Sequence, residues 1–193
     1  MKKRCQWPAN DALMIAYHDI EWGVPVQDDK KWFEYIVLDS FQAGLSWKTI
    51  LHKREGFRLA FHDFDVGRVA RMSQKEMDTC LGNKAIVRHR LKIEATFSNA
   101  KAFLKIQAEF GSFNDYIWRF TNGKPTTHYY TQPDDIPTTS AVSDRMSKDL
   151  KSRGFKFVGS TICYAFMQAA GMVNDHTTDC FRHREIIKSF DWL

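Results

Sequence analysis

Arg88-His-Arg-Leu-Lys-Ile93-Glu-Ala-Thr-Phe97-Ser-Asn-Ala100-Lys-Ala-Phe103-Leu-Lys-Ile106-Gln-Ala-Glu-Phe110-Gly111 is the stretch on which the fold class turns. Its stripe of Ile93, Phe97, Ala100, Phe103 and Ile106 recurs every three or four residues, the period of one face of an α-helix, and Gly111 supplies the stop. The same reading extends in both directions. Upstream, Asp28 or Asp29 caps a helix carrying Trp32, Phe33, Ile36 and Val37, and Ser46 opens another with Trp47, Ile50 and Leu51 inward. Asp65 starts a short helix around Val69 and Met72, and Ser73-Gln-Lys-Glu76 is a capping box for a helix ending near Leu81-Gly82. Downstream, helices are predicted over 113–120, 143–153 and 161–170, with Gly154 and Gly171 as stops. Residues 121–137, with Gly123, Pro125, Pro133 and Pro137, read as an irregular connector. No segment alternates strongly enough to predict a strand, so the expected class is all-α.

Composition narrows the setting. A chain of 193 residues with 44% hydrophobic residues can bury a substantial core as one unit. Four irregularly spaced cysteines do not form a disulfide framework, and neither a secretory leader nor a membrane-length apolar run is evident. A cytoplasmic protein without membrane contact is expected. The net charge of +5 favours a polyanionic partner, nucleic acid ahead of an anionic membrane.

Leu81-Gly-Asn-Lys-Ala-Ile-Val-Arg-His-Arg90 joins two predicted helices through a tight Gly/Asn turn and ends in a basic cluster. One reading is a helix-hairpin-helix, which aims backbone N–H groups and a helix N-terminus at phosphate oxygens, with Lys84, Arg88, His89 and Arg90 adding charge. The other is a solvated basic helix start. These residues alone leave both open.

Two further constellations carry chemistry. Cys5 with His18, and His176 with Cys180, form a Cys2His2 set whose donors suit tetrahedral zinc. The i, i+4 spacing of the second pair predicts both side chains on one helical face. Four protein ligands leave no open position, so such a site is structural and a zinc hydrolase is disfavoured. On pattern alone, zinc and ordinary buried Cys and His are equally good readings. Trp7, Tyr17, Trp22 and Trp47 fall in the first quarter of the chain, with Asp39 and Gln42 among them. A carboxylate between apolar residues is costly unless it is paired or awaits a ligand. Aromatic faces plus one acceptor suit a flipped-out nucleobase, a cationic one above all.

Arg4-Cys5-x-Trp7, Ala16-Tyr17-His18-Asp19, Glu21-Trp22-Gly23-Val24-Pro25, Gln42-Ala43-Gly44-Leu45-Ser46-Trp47, Arg88-His89-Arg90, and 153–159 through Asn174-Asp175-His176 resemble the bacterial 3-methyladenine DNA glycosylase I family. The resemblance runs in order from about residue 4 to residue 180 and implies a single helix-hairpin-helix glycosylase unit over 1–180. Residues 181–193 lie outside it and receive no role. It implies one structural zinc per chain on Cys5, His18, His176 and Cys180. It also implies a base pocket of Trp7, Tyr17, Asp39 and Trp47, with Tyr17 and Asp39 at the reacting base. Lys84, Arg88, Arg90 and Lys156 are expected at phosphates. The implied activity is hydrolysis of the N-glycosidic bond of 3-methyladenine by a monomer acting on double-stranded DNA, on the nucleoid when engaged. A non-catalytic DNA-binding relative is the alternative, because three positions depart from the family pattern. Asp39 stands where glutamate is usual, Ala85 where the hairpin has glycine, and Met14 where an aromatic residue is expected.

Overall fold

A computed structural model describes residues 2–189. Its α-helices are α1 (Ala12–Ile20), α2 (Asp29–Gln42), α3 (Trp47–His52), α4 (Arg54–Ala60), α5 (Val66–Ala70), α6 (Gln74–Gly82), α7 (Arg90–Phe110), α8 (Phe113–Ile117), α9 (Ala141–Ser152), α10 (Ser160–Ala169) and α11 (Phe181–Ser189). The sequence's helix starts are where the caps sit: Asp28, Ser46 and Asp65 each accept an N–H of the first turn, and the Ser73–Glu76 box is formed. Helix α7 begins at Arg90, with the His89 ring as acceptor for the Lys92 N–H, and stops at Gly111. Helix α9 starts at Ala141, ahead of expectation, because Ser140 and Ser143 cap each other. Helix α8 ends at Ile117 and tightens into a 3₁₀ turn, Trp118–Thr121, whose indole N–H donates to Val26 O at 3.0 Å.

Helix α2 is the axis of the core. Every residue from Trp32 to Phe41 is buried, so this helix is enclosed on all sides by α3, α7, α8 and α10. Phe33 meets Phe103 of α7 edge-on at 5.4 Å, and Phe103 stacks on Phe113 of α8 at 4.1 Å. Trp32 packs on Trp118 and Phe166. At its N-terminus the Asp29 carboxylate accepts the N–H groups of Phe113 and Asn114 and the Gln107 amide at 2.7–2.8 Å, which fixes α8 against α2.

Two expectations need correction. A parallel pair of two-residue strands, Thr126–Thr127 (β1) with Val173–Asn174 (β2), joins the connector to the C-terminal segment; it is too short to leave an alternation pattern. His176 and Cys180 do not share a helical face. They flank a tight turn closed by Cys180 N–H to Thr177 O at 2.8 Å, and α11 begins only after it. Polar side chains win here: Thr177 Oγ1 donates to Asp179 Oδ1 at 2.8 Å, an alternative to helix for adjacent threonines.

The N-terminal segment returns onto the C-terminal half. Phe181 N–H donates to Lys3 O, Gly23 N–H to Gln168 O and Val26 N–H to Ala170 O, at 2.9–3.1 Å. Helix α11 joins this layer through buried His183 and Ile186, and Asn174 Nδ2 donates to His183 O at 3.0 Å. Residues 190–193 of the stretch given no role from sequence lie outside the described residues. Gly171 makes the closest crossing: at φ +69° an added Cβ would meet Val24 C and Pro25 N at 2.3 Å. Gly171→Ala should therefore cost at least about 2 kcal/mol and lower Tm by roughly 4–8 °C. An unchanged thermal melt would show that the backbone can step aside.

Candidate functional site: an aromatic pocket beside a Cys/His cluster

Helix α1 brings Tyr17, α2 brings Asp39, α3 brings Trp47 and the N-terminal segment brings Trp7 to a single cavity of about 970 Å³. Trp22, Gln42, Tyr164 and Gln168 also line it. Tyr17 and Trp47 pack at 5.0 Å between ring centroids with their planes tilted by 45°, and Trp7 lies 6.2 Å from Tyr17 and 5.2 Å from Trp22. The four pocket residues expected from sequence are thus assembled by four separate elements. Met14, the apolar departure, is 7% exposed and takes part of the same wall.

Tyr17 Oη, Asp39 Oδ2 and Trp47 Nε1 are buried and have no hydrogen-bond partner among the described residues. Buried polar atoms are satisfied in the great majority of cases, so three unmet ones on one cavity mark a place prepared for a ligand. Asp39 is 2% exposed, and burial alone pushes its carboxyl well above the usual carboxylate range. Burial likewise raises the Tyr17 phenol, reinforced by Tyr35 and Asp39, so Tyr17 is neutral.

The two carboxylates nearby are treated quite differently. Arg54 grips Glu21 with both terminal nitrogens at 2.7 and 2.8 Å and Glu34 through Nε at 2.8 Å, while Lys31 Nζ reaches both. Burial would raise Glu21, but these bonds outweigh it and hold the carboxyl at about 2. Asp11, which also lines the cavity, is held by Lys48 at 3.0 Å and His52 at 2.9 Å, whereas Asp39 has no ion-pair partner among the described residues.

Behind the aromatic wall the ligating atoms of Cys5, His18, His176 and Cys180 all lie within 4.8 Å of one another, and all four residues are buried. Cys5 Sγ to His176 Nδ1, Cys180 Sγ to His18 Nε2 and Cys180 Sγ to His176 Nδ1 each measure 3.5 Å. Ligands of a tetrahedral ion at about 2.0–2.3 Å sit about this far apart. The outer imidazole nitrogens are also committed: His18 Nδ1 bonds Asp19 Oδ1 at 2.8 Å, and His176 Nε2 donates to Trp22 O at 3.1 Å. Such partners fix the tautomer that leaves the inner nitrogen free to ligate. The cluster can hold a metal ion. Trp7 packs on His18 at 5.3 Å and Trp22 on His176 at 4.5 Å, so the pocket wall rests on the cluster.

Lys84, Arg88, Arg90 and Lys156 are exposed. The first three lie in the turn between α6 and α7 and at the start of α7. Lys156 joins them because its backbone is clamped by Asn99 at 2.8 and 3.1 Å and the neighbouring Phe157 ring lies 6.3 Å from His89. Ala85 does not adopt a positive φ, so alanine in place of glycine carries no backbone strain. Its N–H is held by Asn83 Oδ1 at 2.9 Å, and its carbonyl side presses on Gly56, where a Cβ would approach to 2.3 Å.

A methyladenine glycosylase model matches residues 7–183. The chain belongs to that family. "DNA-3-methyladenine glycosylase 1" of Escherichia coli is 50% identical over 178 residues, spanning 92% of this chain and 95% of that protein. "DNA-3-methyladenine glycosylase" of Haemophilus influenzae is 47% identical, over 93% and 97% of the two chains. Among solved structures, a 3-methyladenine DNA glycosylase I superposes with a TM-score of 0.91 at 52% identity, covering 93% and 98%. The Staphylococcus aureus 3-methyladenine DNA glycosylase I, studied for 3-methyladenine recognition, superposes with a TM-score of 0.90 at 39% identity, over 92% and 95%. The matched region takes in the four pocket residues and three of the four cluster residues, with Cys5 just ahead of it, and extends to His183, beyond the resemblance read from sequence as far as residue 180.

Sequence reading missed the floor contributed by α10. Tyr164 OH and the Gln168 amide both donate to Asp175 Oδ2 at 2.8 Å, and His128 Nδ1 bonds Asp175 Oδ1 at 2.6 Å. Tyr164 and Gln168 lie on the preceding helix, but His128 is 47 residues from Asp175 and no spacing links the two.

Proposed function

We propose that this protein hydrolyses the N-glycosidic bond of 3-methyladenine in double-stranded DNA, releasing the free base and leaving an abasic site. The observation that carries this reading is the set of three unmatched polar atoms on one aromatic cavity. Methylation at N3 makes the adenine cationic, so its glycosidic electrons can leave with N9 as a neutral base and no acid is required. The pocket's work is to hold the flipped base out of water while water attacks C1′ and loses a proton. Tyr17 and Trp47 offer π faces to the cation. Asp39 accepts from the exocyclic amine and stabilises positive charge in the bound state. Release of free 3-methyladenine from methylated duplex by the purified protein tests this, with Asp39→Ala as control. DNA binding without release by the wild type would instead support a non-catalytic relative.

The metal is zinc, structural, one per chain. Two thiols and two imidazoles are a borderline-soft donor set that suits it, and four protein ligands close the coordination shell. Cys5 and His18 hold one side and His176 and Cys180 the other, and the ion supplies folding energy and fixes Trp7 and Trp22.

The α6–turn–α7 unit serves as the helix-hairpin-helix that grips the duplex backbone, with Lys84, Arg88, Arg90 and Lys156 at phosphates. Lys84→Ala with Arg88→Ala should weaken binding to damaged and undamaged duplex alike and reduce the slope of log K on log salt by about 2. Salt titrations on both duplexes read this directly. A double variant that lost only lesion discrimination would remove these residues from the backbone grip. The protein acts as a cytoplasmic monomer; no helix among the described residues is long and apolar enough to cross a membrane.

A further inference from the structure

Lys92 is a lysine in an unfavourable place on two counts. It is 5% exposed, and it sits in the first turn of α7, at the positive end of the helix dipole. Burial lowers its ammonium pKa, as desolvation of a cation must. What compensates is the last turn of α2. Lys92 Nζ donates to Phe41 O at 2.8 Å and to Ala43 O at 2.5 Å, two of the carbonyls that the helix end leaves without backbone partners. Phe41 follows Asp39 by two residues, and Ala43 opens the short turn that delivers Ser46, the cap of α3, and Trp47. The ammonium therefore pins the chain between two residues of the base pocket.

The same point receives both exposed basic segments. Arg88 and Arg90 lie within four residues of Lys92 on the chain. From the other side, Phe157 holds a left-handed φ of 57°, its ring lies 6.0 Å from Lys92 Nζ, and its carbonyl accepts from Ser40 Oγ at 3.5 Å, next to Asp39. A hydrophobic side chain would fill the site equally well but could not cap two carbonyls. We propose that Lys92 is a positioning residue, which couples the grip of the duplex on the basic segments to the placement of Asp39 and Trp47 in the pocket.

This inference rests on the glycosylase reading, and a wild-type control separates the two. Lys92→Met keeps the length and removes the charge; Lys92→Arg keeps the charge. Single-turnover release of 3-methyladenine at saturating methylated duplex should fall at least about tenfold in Lys92→Met, since displacement of a reacting pocket by an ångström is enough for that. Binding of free 3-methyladenine, followed by calorimetry, should weaken in parallel. Affinity for undamaged duplex and its salt slope should match wild type, because the ammonium is buried and already bonded to two backbone carbonyls. Lys92→Arg should recover most of the rate. A loss confined to undamaged-duplex affinity would make Lys92 part of the backbone grip and overturn the proposal. So would a wild-type rate in Lys92→Met, or a loss of rate that only tracks a fall in the folded fraction measured by circular dichroism. Failure of the wild type to release the base would sink the glycosylase reading, whereas the free-base binding comparison would still judge Lys92.

Discussion

Asp39→Asn should lose 3-methyladenine excision by about one to two orders of magnitude, the scale of a charge-assisted hydrogen bond placed against a cation. The substitution preserves size, removes the charge and sets a donor where the exocyclic amine needs an acceptor. The same change should stabilise the fold. Asp39 is fully enclosed, has an unpartnered oxygen, and holds its proton well above the ordinary value of 3.8. The folded state therefore binds a proton that the unfolded chain has released, so stability falls as pH rises above that value. Removing the carboxyl removes this penalty, and Tm at neutral pH should rise by a few degrees, for about 1–3 kcal/mol. A gain in stability with a loss of activity is the mark of a group kept for a ligand. The pH profile follows from the same fact. Excision by wild type should climb with pH as Asp39 ionises, and that limb should vanish in Asp39→Asn. Asp39→Glu should keep or raise activity, since glutamate is the family's usual acid and reaches further into the cavity. Wild-type excision by Asp39→Asn, with DNA binding intact, would remove Asp39 from the chemistry.

Stripping the Cys2His2 site should have the larger effect on stability. About one zinc per chain is expected by elemental analysis of the purified protein. Chelation, or Cys180→Ala, should lower Tm by roughly 10 °C or more, because an ion held by this cluster would add several kcal/mol by tying segments distant in sequence. The loss reaches function through packing: His18 and His176 support Trp7 and Trp22, so binding of free 3-methyladenine should weaken with the metal gone. A metal-free protein of equal stability, or a Cys180→Ala variant with the wild-type melt, would reject zinc.

The sequence by itself determined the helical class, because that information is local. The α7 stripe, the Ser73 box and the Asp28, Ser46 and Asp65 caps act over three or four residues, and the structure keeps each of them. Residue types also named Asp39, the aromatic set and the Cys/His set, since a carboxylate in an apolar run and paired thiol and imidazole donors have few cheap explanations. Tertiary structure decided whatever depends on distance between remote residues. Only the fold shows that Arg54 pairs with Glu21 and Glu34 while Asp39 Oδ2 has no partner among the described residues, a difference that suits Asp39 to a ligand. Helical spacing suggested a shared face for His176 and Cys180, but a turn set by Thr177 and Asp179 brings them together instead. The two-residue strands, the His128–Asp175 bond under the pocket and Lys92 on the end of α2 had no local signature, because each exists through a partner far away in the chain.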